Sequence, residues 1–247
     1  MMILAIETAT IDVGVALVDE NRTLLSSSVR TNREHGAQLH PAIKELMATC
    51  HVEFSGIDAI AIDVGPGLFT GLRVGVAAAK ALGMALCVPL VPVRSTEALR
   101  FDARELAEFV VPVVDMRRGE CAWELHEQSG LRLGTPEVLV RELSEIEGDC
   151  VLIGDGALRY GDFFAQNGSL RVSIGGSERA APSPSAIGSI GWARLTNGGG
   201  ASALEVEPIY LRVADAKVNF ATRDDLVMPE AVRDHRRRGP VQEMKRR

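Results

Sequence analysis

Chemistry in this chain of 247 residues must come from a small set of side chains. The first candidate is Asp63 to Leu86, DVGPGLFTGLRVGVAAAKALGMAL. A Gly-rich turn between an apolar run and a helix can cradle phosphate, because unpaired N–H groups and the helix dipole favour negative charge. The specific fingerprints fail. A P-loop needs Lys followed by Ser or Thr after its last Gly, and here Gly71 is followed by Leu72 and Arg73. The dinucleotide pattern G-x-G-x-x-G fails because Thr70 stands in the third Gly position, with Gly71 one residue late. A generic anion site at Gly67, Phe69 and Thr70 is what remains.

Two carboxylates follow. Glu7 and Asp115 each close an apolar run and open a polar turn. Acids facing one another across a cleft can hold magnesium for phosphoryl transfer, and acids at strand ends also serve as loop anchors. Arg117 and Arg118 in DMRRGE suit bidentate phosphate binding, or they brace the hairpin through Glu120. The first turn, ETATIDVG, has Thr8 and Thr10 but no Gly at its bend, where a kinase needs close backbone approach. His35 and His40 are five apart, roughly 140° around a helix, so they do not face one metal. The motifs H-E-x-x-H, G-x-S-x-G and C-x-x-C are missing, and the Cys at 50, 87, 121 and 150 are scattered. No catalytic residue and no metal ligand is assigned.

The elements that must carry these residues follow from periodicity. Residues 2–6, 13–19 and 23–30 read as a three-stranded antiparallel meander. Leu39, Ile43, Leu46 and Met47 have helical spacing, and Pro41 suits a first turn, which predicts a helix from near His40. Then come a buried strand at 57–64, a helix from Thr70 to Leu86, a strand at 88–93 and a helix that Ser95 is expected to cap. FVVPVVDMRRGECAWELHEQ repeats the opening pattern of strand, acid, turn and strand, which suggests a duplicated sheet unit. A helix in TPEVLVRELSEI, a strand and turn in CVLIGDGA, and a capped helix in SPSAIGSIGWARLTNGG complete the series.

Within the central helix, Gly71, Gly75, Ala79 and Gly83 are four apart and form one ridge without side chains. Each helical Gly costs on the order of 0.5–1 kcal/mol relative to Ala, so close backbone approach must compensate. The neighbour is either the chain's own sheet or first helix, or a partner. No apolar run is free of charges or Gly over membrane-spanning length, and MMILAIETAT reads as a first strand rather than a signal peptide. The formal charge is −6. Residues 233–247 carry seven Arg or Lys against Asp234 and Glu243, a net +5, leaving −11 on the rest. Such a tail is either a solvated extension or an attractor of RNA phosphates.

The segments ILAIETAT, REHGAQLHPAI, DAIAIDVGPGLFTGLRVG, VPVVDMRRGECAW, GDGA and PIYLR resemble the TsaB (YeaZ) family in order and spacing, to about Arg212. GPGLFTGLRVG is the most specific of them. The resemblance implies an α/β protein of the actin-like, Hsp70-like, sugar-kinase (ASKHA) fold, with two related subdomains of mixed sheets at 1–100 and 101–225 and a basic tail at 226–247. It implies a non-catalytic scaffold in the bacterial cytoplasm, serving tRNA N6-threonylcarbamoyladenosine formation, with no membrane attachment. Its partners would be a metal-containing TsaD-like catalytic subunit and a TsaE-like ATPase, with tRNA met through the complex and a homodimer when the partner is absent. The partner interface would use Leu39, Ile43, Met47, Gly71, Gly75, Ala79 and Gly83. No cofactor is assigned to the chain itself, and ATP or ADP at the complex interface stays open. Glu7 stands where the family usually has Asp, and Leu68 where it has Ser, which weakens nucleotide chemistry at the cleft. The alternative is an autonomous ATPase or small-molecule kinase with Glu7 and Asp115 around magnesium.

Overall fold

Ten strands and seven α-helices make up the described residues, 1–211 without 21, 32, 33, 169 and 170, in a computed structural model. The basic tail, and the expected boundaries at 225 and 226, lie outside the described residues.

The first sheet contains β1 (Met2–Glu7), β2 (Asp12–Asp19), β3 (Arg22–Arg30), β4 (Ala59–Asp63) and β5 (Leu90–Val93). Its order is β3-β2-β1-β4-β5. The three N-terminal strands are the expected antiparallel meander, and β4 and β5 run parallel to β1. The second sheet contains β6 (Phe109–Asp115), β7 (Cys121–Trp123), β8 (Arg132–Gly134), β9 (Cys150–Ile153) and β10 (Val172–Ile174), in the order β10-β9-β6-β7-β8. Around β6 the strand directions repeat those around β1: two antiparallel neighbours on one side, two parallel on the other. The duplication legible in two strand-acid-turn segments extends to the whole of both sheets.

Helices cover both faces of the first sheet, so β1 and β4 are buried and almost wholly apolar. On one face, α1 (His35–Thr49) and α2 (Phe69–Leu86) bury Leu39, Ile43, Leu46, Met47 and Val76 against Leu4, Ile6, Leu17, Ile60 and Ile62. On the other, α7 (Pro184–Thr196) and α3 (Ser95–Ala103) bring Ile187 and Ala98 onto Ile3, Ala5 and Ala61. Gly188 and Gly191 let α7 lie close: a Cβ there would stand 2.4 Å from Val18 and 2.6 Å from Ala61. Helix α7, the last among the described residues, thus packs on the first sheet. Helix α3 turns Leu99 and Ala103 toward the second sheet, whose far face carries α4 (Pro136–Leu143), α5 (Asp155–Arg159) and α6 (Gly161–Asn167), with Leu139, Ala157 and Phe164 packed on Val111, Val113, Trp123 and Leu152.

Three expectations are corrected. Helix α1 starts at His35, not near His40, and contains Pro41. Buried His35, whose Nε2 lies 2.8 Å from the Thr10 carbonyl, anchors the first turn, and Pro41 sits at an exposed position. Ser95 does not cap α3. The cap position is Arg94, whose N–H donates to Glu97 Oε2 at 2.9 Å, while the Ser95 hydroxyl donates to Asp63 Oδ1 at 2.7 Å. The turn after β9 contains α5 and α6, where Gly156 and Gly161 interrupt any helical pattern. The cap of α7 is as expected: Ser183 Oγ accepts from Ala186 N–H at 3.0 Å.

Candidate functional site

Helix α2 lays its glycines against the chain's own strands. Thr8, just past β1, donates its hydroxyl to the Gly71 carbonyl at 2.9 Å. A Cβ on Gly71 would stand 2.0 Å from the Thr8 carbonyl oxygen, and one on Gly75 2.1 Å from Thr8 Oγ1. On Gly83 it would stand 2.8 Å from Leu90 Cδ2, and Ala79 is fully buried. Leu39, Ile43 and Met47 lie in the same core. The seven residues expected at a partner interface therefore face inward. The glycines are small because a helix lies on a strand end.

The opposite ridge of α2 is the one that faces out. Phe69, Arg73, Ala77, Ala81, Met84 and Ala85 are exposed, Met84 by 60%. Helix α1 packs alongside and exposes Ala37, His40, Pro41, Lys44 and Ala48. The pair makes a two-helix surface of mostly small side chains. By length and composition α2 could cross a membrane, contrary to the reading from charge interruption. Its apolar character follows from having one face on a sheet and the other nearly free of charge.

The ends of β1, β4 and β6 carry a second group of candidates, the carboxylates Glu7, Asp63 and Asp115. Glu7 is buried, with its carboxylate accepting from Thr10 N–H at 3.0 Å and Thr10 Oγ1 at 3.3 Å. Burial, and then the neighbouring Asp63 charge, holds it well above the usual carboxylate range. Asp63 Oδ1 accepts from Gly65 N–H at 2.8 Å and from Ser95, while Oδ2 is buried without a partner. Burial pushes Asp63 up to about 7. Asp115 accepts from Arg117 Nη1 at 2.8 Å and stands 3.5 Å from Arg159 Nε, and its own N–H donates to Asp155 Oδ1 at 2.8 Å. Burial raises Asp155 to about 6.

A cavity of about 430 Å³ between the two halves is lined by Thr10, Asp12, Arg30, Asp115, Arg117, Asp155 and Arg159. The anion set expected from sequence divides. Asp115 and Arg117 meet at this cavity, while Gly67, Phe69 and Thr70 lie at the head of α2. There Leu68 N–H already donates to the Ala9 carbonyl at 2.7 Å, and a Cβ on Gly67 would stand 2.3 Å from that oxygen. Arg118 is exposed on the hairpin, where Arg117 and Arg118 both have positive φ, 62° and 56°. The fold implies a magnesium nucleotide, and these residues do not fit one. Glu7 is absent from the cavity wall and engaged by Thr10, and Asp115 is already paired with the guanidinium groups of Arg117 and Arg159. The buried thiols of Cys121 and Cys150, pushed up to about 12 by burial, are poor nucleophiles.

Sequence reasoning missed Asp63, Asp155 and Tyr210. The two acids carry the signal that marked Glu7 and Asp115, an acid at or just past the end of an apolar strand. Tyr210 has no periodic signal at all, and the structure brings it to the head of α2.

Residues 28–136 match the family model described as TsaD, tRNA N6-adenosine threonylcarbamoyltransferase. The chain is 26% identical over 228 residues to the tRNA threonylcarbamoyladenosine biosynthesis protein TsaB of Bacillus subtilis, covering 89% of this chain and 98% of that one. The solved structure of YeaZ from Pseudomonas aeruginosa superposes with a TM-score of 0.68 at 28% identity, covering 85% of this chain and 99% of that one. The ethanolamine utilization protein EutJ from Carboxydothermus hydrogenoformans, at 12% identity and a TM-score of 0.50 over 77% of this chain and 90% of that one, shares the fold. With two sheets of one topology, helices on both faces and relatives matched over nearly their whole length, the chain is an ASKHA-fold member of the TsaB (YeaZ) family.

Proposed function

We propose that this chain is a non-catalytic scaffold subunit of a cytoplasmic tRNA threonylcarbamoyladenosine transferase complex, and that it docks on a TsaD-like catalytic subunit through the outer faces of α1 and α2. The observation that carries this reading is the outer ridge of α2, where Ala77, Ala81, Met84 and Ala85 stand exposed on an 18-residue helix. Small residues let a second helix approach closely, and burying a side chain such as Met84 contributes roughly 1.5–3 kcal/mol. The match to the TsaD model spans residues 28–136 and so includes both helices. A paralogous partner therefore has a corresponding pair, and two such pairs meet as a four-helix layer about a pseudo-twofold axis. A TsaE-like ATPase joins the pair, and tRNA is met by the assembled complex. Without the catalytic subunit, two copies of this chain cover the same face with each other.

The test is the solution mass of the chain alone and mixed with the TsaD-like subunit of the same organism, by size-exclusion chromatography with light scattering. A discrete heterodimer that is lost in Ala81→Glu is expected. Two unchanged peaks would remove the reading. The competing idea of an autonomous ATPase is disfavoured by the engagement of Glu7 and Asp115, and ATP turnover by the isolated chain, lost in Asp115→Ala, would reinstate it.

A further inference from the structure

At its head, the outer face of α2 carries a half-exposed cluster of Phe69, Arg73 and Tyr210. Arg73 lies flat on Phe69, with Cζ 3.8 Å from the ring centroid, and 5.7 Å from the centroid of Tyr210. Its Nε donates to the Tyr210 hydroxyl at 3.1 Å, and the two rings are tilted at 46° with centroids 5.1 Å apart. Tyr210 is held there because Ile209 N–H donates to the Val64 carbonyl at 2.7 Å, just before the loop that leads into α2. Phe69 and Tyr210 remain 43% and 44% exposed. Among the described residues, Arg73 pairs with no carboxylate, and its two terminal nitrogens have no hydrogen-bond partner.

We propose that Arg73 is a charged anchor of the docking face, held ready for a carboxylate on the helix of the partner protein that packs against α2. This rests on the docking reading above. Arg73 is the one charged residue among the exposed positions of α2, so a helix laid along Ala77, Ala81 and Met84 covers the guanidinium as well. A charge taken out of water without a counter-charge is strongly unfavourable. The covering helix must therefore present Asp or Glu at that point, or the complex would be weak. The two rings fix the guanidinium before binding, so little side-chain freedom is lost when the pair forms, and Arg and Tyr are among the residue types enriched at interface hot spots. An RNA phosphate is the other anion that Arg could take. The surrounding alanines and Met84 argue against it, because a hydrated phosphodiester backbone would leave them uncovered.

The experiment measures affinity of the full chain for the TsaD-like subunit by titration calorimetry at low and high salt, with thermal unfolding of each variant as the fold control. Arg73→Ala is expected to weaken the complex at least about tenfold, and Arg73→Glu to weaken it further. An Asp or Glu to Arg change on the facing partner helix should restore binding to Arg73→Glu alone. Tyr210→Phe keeps the ring and removes the hydroxyl, and should weaken binding about twofold to threefold. If Ala81→Glu abolishes the complex while Arg73→Ala and Arg73→Glu bind like the parent, docking stands and the anchor is refuted. If Ala81→Glu also binds like the parent, the docking reading itself fails. Unchanged subunit affinity with weakened tRNA binding by the assembled complex would assign Arg73 to RNA and overturn the proposal.

Discussion

The inner and outer ridges of α2 are built from similar residues and have opposite fates. Gly71, Gly75, Ala79 and Gly83 lie four apart on one side; Phe69, Arg73, Ala77, Ala81 and Ala85 lie four apart on the other. The inner ridge is buried against Thr8, Ile62 and Leu90, and the outer one is open. A run of small residues thus reports close approach without saying to what. The distinction lies between Gly and Ala. Gly71, Gly75 and Gly83 stand where a Cβ would strike the chain's own backbone or side chains, Ala79 marks the inner position where a Cβ fits, and Ala77, Ala81 and Ala85 turn theirs to solvent.

Breaking the inner ridge should have the largest effect. Gly75→Leu drives a side chain into Thr8, whose hydroxyl would lie 2.1 Å from the new Cβ. A loss of more than about 3 kcal/mol is expected, beyond the upper end of ordinary overpacking, and urea unfolding monitored by circular dichroism measures it. A Gly75→Leu chain as stable as the parent would show that the helix can lift off its sheet. On the outer ridge, Ala81→Glu should leave stability within about 0.5 kcal/mol of the parent and reduce heterodimer affinity at least about a hundredfold. Both readouts on the same protein are needed, because a simultaneous loss of fold would erase the contrast between the ridges.

Beneath the inner ridge, Asp63 gives a pH test. Its unfolded value is near 3.8 and its folded value about 7, so the folded state binds the proton more tightly. Its contribution is fully present below 3.8 and is lost as pH rises through about 7. Asp63→Asn keeps an acceptor for Gly65 N–H and Ser95, and it should flatten the dependence of the melting temperature over that window. An unchanged slope would assign the effect to Glu7 instead. The smallest expected effect is that of Thr8→Val, which deletes the hydrogen bond to the Gly71 carbonyl at a cost of about 1 kcal/mol, read from the urea midpoint.

Much of the fold was legible because burial imposes a period. The apolar runs of β1, β4 and β6 and the spacing of Leu39, Ile43 and Leu46 are dictated by helices and sheets that hide one another. The helix start at His35 was not legible, because Pro41 is a strong local signal and the bond from His35 to the Thr10 carbonyl spans 25 residues. The role of Ser95 was missed for the same reason: its partner Asp63 lies 32 residues away. On α1 and α2, the residues singled out for an interface from the family segments lie on the buried side of each helix. Spacing gives the angle between side chains around a helix. It does not say which angle points at solvent, and that is fixed by Thr8 and Leu90, residues on other elements.

The return of α7 to the first sheet has a consequence for synthesis. Ile3, Ala5, Ala16 and Ala61 wait for Ala186 and Ile187, and Phe69 and Arg73 wait for Tyr210. At about 5–20 residues per second on the ribosome, the interval between β5 and α7 lasts about 5–20 s, and until α7 arrives α3 alone covers that face of the first sheet. The ring that steadies Arg73 emerges after every described strand and helix. A chain cut short before residue 210 would have both α1 and α2 and still lack Tyr210, so the hydrogen bond that steadies Arg73 forms only once the chain has passed the second sheet and α7.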